Sequence, residues 1–329
     1  MEKAQVYFIK LAELGNLKNI LPDFSGPLGV KVHFGEKHNN TFVPAKYIKE
    51  ITQMLASPTL IETSVLYRSL RSNAVGHRSL AIEHGFDFAP IDFLDGEVGD
   101  DTIELEISGD HFTKCYLGKN LEKYPSLLVI SHFKGHGAAI FGGALKNLGM
   151  GLAARRGKLA QHASIPHSVT RERCLGCGQC VSECPVQAIS FQADGKVEID
   201  HDKCISCSKC ISICSAKAIE IPWASTGTDV LQERIVEYAT AALKNRSAFF
   251  VNFLINITAE CDCIGRPMEK IAPDIGVLAS LDPVAIDQAS CDLLIENNPD
   301  LARFKMGEAQ LSHAEKIGLG KRDYELIYL

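Results

Sequence analysis

The sequence predicts an α/β fold, a largely parallel sheet layered with helices, and a second, cysteine-dense α+β module set into it. Three observations carry this. Short apolar runs alternate with segments of helical spacing over the first 165 residues. Eight of the twelve cysteines fall between Cys174 and Cys214. After Pro222 the same alternation of strand-like and helix-like segments returns.

The elements follow in order. Val6–Ile9 is a short apolar run, and Val30–Phe34 alternates apolar and polar residues as a strand does. Pro44–Leu55 has helical spacing through Tyr47, Ile48, Ile51 and Leu55. Leu60–Leu66 is β-rich and Ala74–His84 reads as a helix. Thr102–Ile107 alternates strictly, so one face is expected to meet solvent. Leu127–Ile130 reads as a buried strand running into a segment with six glycines between Gly135 and Gly151. Beyond the cysteines, Asp229–Leu243 is a helix, and Phe249–Ile257 and Ile275–Leu278 are buried strands. Asp282–Glu296 is a helix with Asp282 as N-cap and Pro283 in first position. Residues 1–165 and 223–329 therefore form one discontinuous α/β domain, interrupted by a module at 166–222.

Composition narrows the function. With 40 acidic against 34 basic residues the formal charge is -6, which argues against a nucleic-acid binder. Aromatics at 7% leave little for a base-stacking surface. The most apolar window, Ala248–Ile257, is interrupted by Asn252 and Asn256 and is too short to cross a bilayer. The amino terminus has no pattern of a signal peptide, so a cytoplasmic location is expected. In a reducing compartment twelve cysteines point to metal or redox chemistry rather than a disulfide framework.

The eight clustered cysteines form a repeat. Cys174, Cys177, Cys180 and Cys184 superpose on Cys204, Cys207, Cys210 and Cys214 after a shift of 30 residues, and Ala188-Ile189 on Ala218-Ile219. Three thiolates two residues apart wrap a loop around three corners of an iron–sulfur cubane. In the bacterial pattern the fourth cysteine of each run ligates the other cluster. That predicts Cys174, Cys177, Cys180 and Cys214 on one [4Fe-4S] cluster and Cys204, Cys207, Cys210 and Cys184 on the other. Gly176, Gly178, Ser206 and Ser208 let backbone N–H groups turn towards sulfur. Zinc sites pair two Cys-x-x-Cys units per ion and leave the third cysteine surplus. This stretch resembles a bacterial-type ferredoxin with two [4Fe-4S] clusters; Ser215 stands where that family has proline.

The remaining cysteines divide. Cys261-Asp-Cys263 follows an apolar strand, and in an extended segment both thiols point the same way. It reads either as a metal or redox pair, completed by His132 and His136 from the glycine-rich strand end, or as a packed turn of small thiols. His162, beyond Arg155-Arg156-Gly157-Lys158, contacts an anionic substrate or sits on a solvated turn; the latter is favoured. Gly135-His-Gly137 lacks the third glycine of a dinucleotide fingerprint, because Ile140 takes that place. Its loop either presents N–H groups to a carboxylate or phosphate at a helix start or serves close backbone packing. Cys291 belongs to a helix core, and Cys115 has no evident partner.

The flanks resemble the family known as domain of unknown function 362, uncharacterised iron–sulfur proteins. Ser131-His-Phe-Lys-Gly-His-Gly through Met150-Gly151, Cys261-Asp-Cys263 and Asp274 through Asp287 carry the likeness. The resemblance implies an α/β fold and iron–sulfur binding, and no established reaction. Three functions follow. The first is a redox protein relaying electrons through two [4Fe-4S] clusters to or from a site at His132, His136, Cys261 and Cys263, with Asp282 and Asp287 at its edge or serving as helix caps. The second is an electron carrier docking a partner protein, with no deep polar pocket near His132 and Cys263. The third is a metal-dependent, non-redox enzyme with structural clusters and an additional metal ion. The expected partners are a redox protein or a small-molecule substrate.

Overall fold

A computed structural model describes residues 3–164, 167–223 and 225–329. Eight strands form the central sheet: β1 (Ala4–Ile9), β2 (Leu28–Lys31), β3 (Thr59–Glu62), β4 (Ile91–Phe93), β5 (Ser126–His132), β6 (Ser247–Leu254), β7 (Gly276–Ser280) and β8 (Tyr324–Tyr328). Their order is β8-β1-β7-β6-β5-β2-β3-β4. Only β7 runs against the rest; β6, β5, β2, β3 and β4 are mutually parallel.

Both faces of the sheet are covered, which is why its strands read as continuous apolar runs. In β5, Leu127 and Val129 enter one core and Leu128 and Ile130 the other. Helices α1 (Ala45–Thr52) and α2 (Ala74–Glu83) cover the second core through Ile48, Ile51 and Ala81. The opposite core takes α3 (Ala144–Gly149), α5 (Thr228–Leu243), α6 (Pro283–Asn297) and α7 (Glu308–Lys316); α4 (Arg155–His162) follows α3 in the chain. Asp282 caps α6, accepting from the N–H groups of Val284 and Ala285. Cys291 is buried in that core, as expected, and so is Cys115. Among the described residues no helix is long and apolar enough to cross a membrane.

Three local expectations change. The second strand begins earlier and ends at Lys31, a buried residue, so the alternation in Val30–Phe34 reflects a charge turned inward rather than a wet face. The glycine-rich segment folds as a hairpin, Lys134–His136 pairing with Ile140–Gly142, and not as a loop. The N–H groups of Ala144 and Leu145 at the start of α3 donate to the Asp287 carboxylate, so two of the donors expected for an anion there are already engaged. Thr102–Glu106 does pair in a two-stranded sheet with Lys114–Gly118 and exposes one face.

Helix α3 packs tightly on α5. A Cβ on Gly149 would overlap the Ile235 carbonyl oxygen, which is backbone and cannot swing away. Gly149→Ala is therefore expected to destabilise the fold by about 1–3 kcal/mol, as overpacking does, measured by denaturant unfolding. An unchanged midpoint would contradict this packing.

In the cysteine-rich segment Ser168–Val169 pairs with Ile219–Glu220, bringing its ends together, and Ile189–Phe191 pairs with Val197–Ile199. It has its own small core of Cys174, Cys180, Ile189, Val197, Cys210 and Ile219, joined by Leu66 and Leu159 from the α/β part. The sequence repeat is a backbone repeat. Positive φ at Gly176 (64°), Gly178 (75°) and Gln187 (53°) recurs at Ser206 (54°), Ser208 (65°) and Lys217 (50°).

Candidate functional site

Parallel strands place ligand sites beyond their carboxyl ends. Here β2 ends in Lys31, β3 in Glu62 and β5 in His132, and a cavity of about 250 Å³ opens over them. Its other walls come from Lys134 and His136 of the hairpin, Lys146 and Met150 around α3, Lys158 and His162 of α4, Trp223, and the Cys261–Cys263 turn.

The floor is an ion network. Lys31 Nζ lies 2.5 Å from Glu62 and Arg71 donates to the same carboxylate at 2.8 Å, all three buried. Lys31 also donates to Asn147 Oδ1 at 2.9 Å. Burial alone would raise the Glu62 pKa; Lys31 and Arg71 reverse this and hold it well below the usual carboxylate range. Beside this network, burial pushes Lys158 down to about 8 and Asp95 up to about 6, and Lys158 donates to Thr63 Oγ1 and the Ala153 carbonyl, each at 2.5 Å. Of the cavity's cationic side chains, only that of Lys146 makes no hydrogen bond or ion pair among the described residues.

The thiol turn faces this floor. Ile264 N–H donates to the Cys261 carbonyl at 3.0 Å, closing a β-turn that brings the two thiols together; the segment is not extended. Asp262 between them is fully buried and points inward. It accepts from His132 Nδ1 at 2.8 Å and Thr41 Oγ1 at 3.0 Å, with Lys134 Nζ at 3.3 Å. Tyr67 donates its hydroxyl to the Cys263 carbonyl at 3.1 Å. A hydrogen bond from the Cys263 thiol holds Cys261 well below the usual thiol pKa, helped by Lys146 and Lys134 against burial. The same contact, with burial, pushes Cys263 up.

The two histidines part company. His132 Nε2 meets the Ile255 carbonyl at 2.8 Å while Nδ1 meets Asp262. Both ring nitrogens are thus engaged, and His132 is not among the side chains grouped with the thiols. This corrects the expected ligand set: His132 holds the turn in place. His136 does lie with the thiols, and His136, Cys261 and Cys263 bring one ligand atom each within 4.8 Å of one another. Its Nδ1 accepts from Ala138 and Ala139 N–H at 3.2 and 2.9 Å, so the neutral ring carries its proton on Nε2. Burial, then Lys146, keep that ring uncharged.

Other expectations also shift. Asp287 is fully buried, bonded to Asn252 and the start of α3, and Asp282 caps α6, so neither lines the cavity. His162 is not on a solvated turn. It ends α4, lines the cavity, packs edge-on to Trp223 at 4.6 Å, and is pushed down to about 3 by burial. Lys31, Glu62, Arg71, Tyr67 and Lys146 were not singled out by the sequence. Only Lys31 carries a signal, a charge inside a strand-like apolar run.

The eight clustered cysteines line two further small cavities. One is walled by Cys174, Cys177, Cys180 and Cys214, the other by Cys184, Cys204, Cys207 and Cys210. Backbone N–H groups of Ala188 and Ala218 each donate to sulfur at 3.2 Å, on Cys184 and Cys214. Ser206 N–H approaches Cys204 Sγ at 3.4 Å.

Fold and sites define an α/β protein whose cysteine-rich sites are compatible with metal binding. The chain belongs to the family described as domain of unknown function (DUF362), whose model matches residues 28–292. Among solved structures it is similar to the lactate racemase apoprotein from Thermoanaerobacterium thermosaccharolyticum, at 12% identity and a TM-score of 0.44. That match covers 89% of this chain, which spans 57% of the neighbour's length. No curated protein matches the chain.

Proposed function

We propose that this is an iron–sulfur redox protein. Residues 166–222 are an inserted ferredoxin-like domain holding two [4Fe-4S] clusters, and electrons pass between it and the cavity of the α/β domain. The observation that carries this reading is the division of eight thiols between two cavities, each taking three cysteines of one run and the fourth of the other. The donor set fits the group: four thiols apiece, with N–H groups aimed at sulfur. Bound there, each cluster exchanges one electron.

The chain's own residues connect the two parts. Leu66 lines the large cavity and also packs into the core of the cysteine-rich segment. Arg68 donates to the Ser215 carbonyl at 3.0 Å, next to Cys214. Arg155 bonds the Ser212 hydroxyl. These contacts fix the cysteine-rich segment against the cavity wall. The cavity near Cys263 favours this relay over a carrier that only docks a partner. A thiophilic metal ion on His136, Cys261 and Cys263 is the second reading, supported by their grouping within 4.8 Å. It requires His136 to surrender its present hydrogen bonds.

Anaerobic purification with metal analysis tests the proposal. About eight irons per chain are expected, with spin-coupled cubane signals on reduction. Zinc alone at the clustered cysteines would overturn it. An extra equivalent of zinc or iron, lost on replacing Cys261 and Cys263 by alanine, would establish the second reading.

A further inference from the structure

We propose that Cys261 and Cys263 are a redox pair that cycles between a dithiol and an intrachain disulfide. The pair is the two-electron site of the α/β domain. Several independent features meet there. The β-turn at Cys261 places the two sulfurs within 4.8 Å of each other, and Cys263 N–H donates to Cys261 Sγ at 3.4 Å. Both residues open onto the large cavity, so a small reactant can reach them. Asp262, anchored by His132, Lys134 and Thr41, locks the turn that holds them together. Lys146 lines the same cavity. His132 is engaged by Asp262 and the Ile255 carbonyl, and His136 has committed Nδ1 to backbone donors. Cys115 and Cys291 show the contrast: each is buried in the core, away from the cavity.

The co-reactant is a small-molecule disulfide. The Cys261 thiolate attacks one of its sulfurs; a Cys261–S bond forms, the reactant's S–S bond breaks, and one thiolate leaves. Cys263 then gives up its proton and attacks Cys261 Sγ. The mixed disulfide breaks and the second thiol departs with that proton. The protein ends two electrons poorer, holding a Cys261–Cys263 bond, and the reactant ends as one thiolate and one thiol. The reverse sequence reduces the pair. The exchange itself needs no cluster. Its place as the end of a relay rests on the function proposed above, where two one-electron centres match one two-electron pair.

The test uses the full-length protein, purified anaerobically and equilibrated in mixtures of reduced and oxidised glutathione. After acid quenching and alkylation with N-ethylmaleimide, tryptic peptide 247–270 carries these two cysteines and no others. It is expected to shift between doubly alkylated and unalkylated, disulfide-bonded forms in one two-electron step. Cys263→Ser should instead accumulate a single glutathione adduct on Cys261. A peptide that stays doubly alkylated throughout the series overturns the proposal. So does one equivalent of metal released when Cys261 is replaced. Iron measured in the same samples separates the two ideas. Eight irons with no disulfide defeats the thiol pair and leaves the relay standing; a disulfide without iron does the reverse.

Discussion

Glu62→Ala is expected to destabilise the α/β domain by about 3–5 kcal/mol, the penalty for leaving buried charges without their partner. Glu62 is 3% exposed and holds both Lys31 at 2.5 Å and Arg71 at 2.8 Å, which are buried with it. Its removal strands two cations beneath the cavity. Denaturant unfolding of the wild type and variant measures the effect; a loss under about 1 kcal/mol would contradict the network. The pH dependence has a definite sign. The folded Glu62 pKa lies well below the ordinary 4.5, so its contribution is complete above that pH and is lost as pH falls below it. The gap between wild type and Glu62→Ala is thus expected to be full at pH 7 and to narrow on acidification through pH 4.

The second large effect belongs to the clustered cysteines. Their small core sets Cys174, Cys180 and Cys210 among short aliphatic side chains, and borrows Leu66 and Leu159 from the α/β part. So small a core supplies little folding free energy, and under the proposed function metal–sulfur bonds supply the remainder. Iron removal by an anaerobic chelator is expected to unfold residues 166–222 while the sheet core persists. Hydrogen exchange would show loss of protection confined to the hairpin Ile189–Phe191 with Val197–Ile199 and its neighbours. Equal protection with and without iron would contradict this account.

Much of the architecture is legible in the sequence because its causes are local. Pro283 after Asp282 marks a helix start, and β5 reads as buried because both of its faces meet a core. The cysteine repeat is legible because chemistry fixes its spacing. The cavity is not. Lys31, Glu62 and Arg71 come from three segments, and nothing local says that their charges turn inward to meet. His132 and Asp262 stand 130 residues apart, so the sequence brings His132 to the right place and leaves its role open. Nothing local to Asp262, between the two thiols, marks its role; in the folded chain it is the anchor of their turn.

Iron counts in paired cysteine variants test the central claim most directly. If the runs exchange their fourth members, Cys174→Ser with Cys214→Ser damages one cluster and leaves about four irons per chain. Cys174→Ser with Cys184→Ser damages both and leaves almost none. The opposite outcome, four irons retained by the second pair and none by the first, would mean that each run closes on its own cluster and would contradict the crossed arrangement.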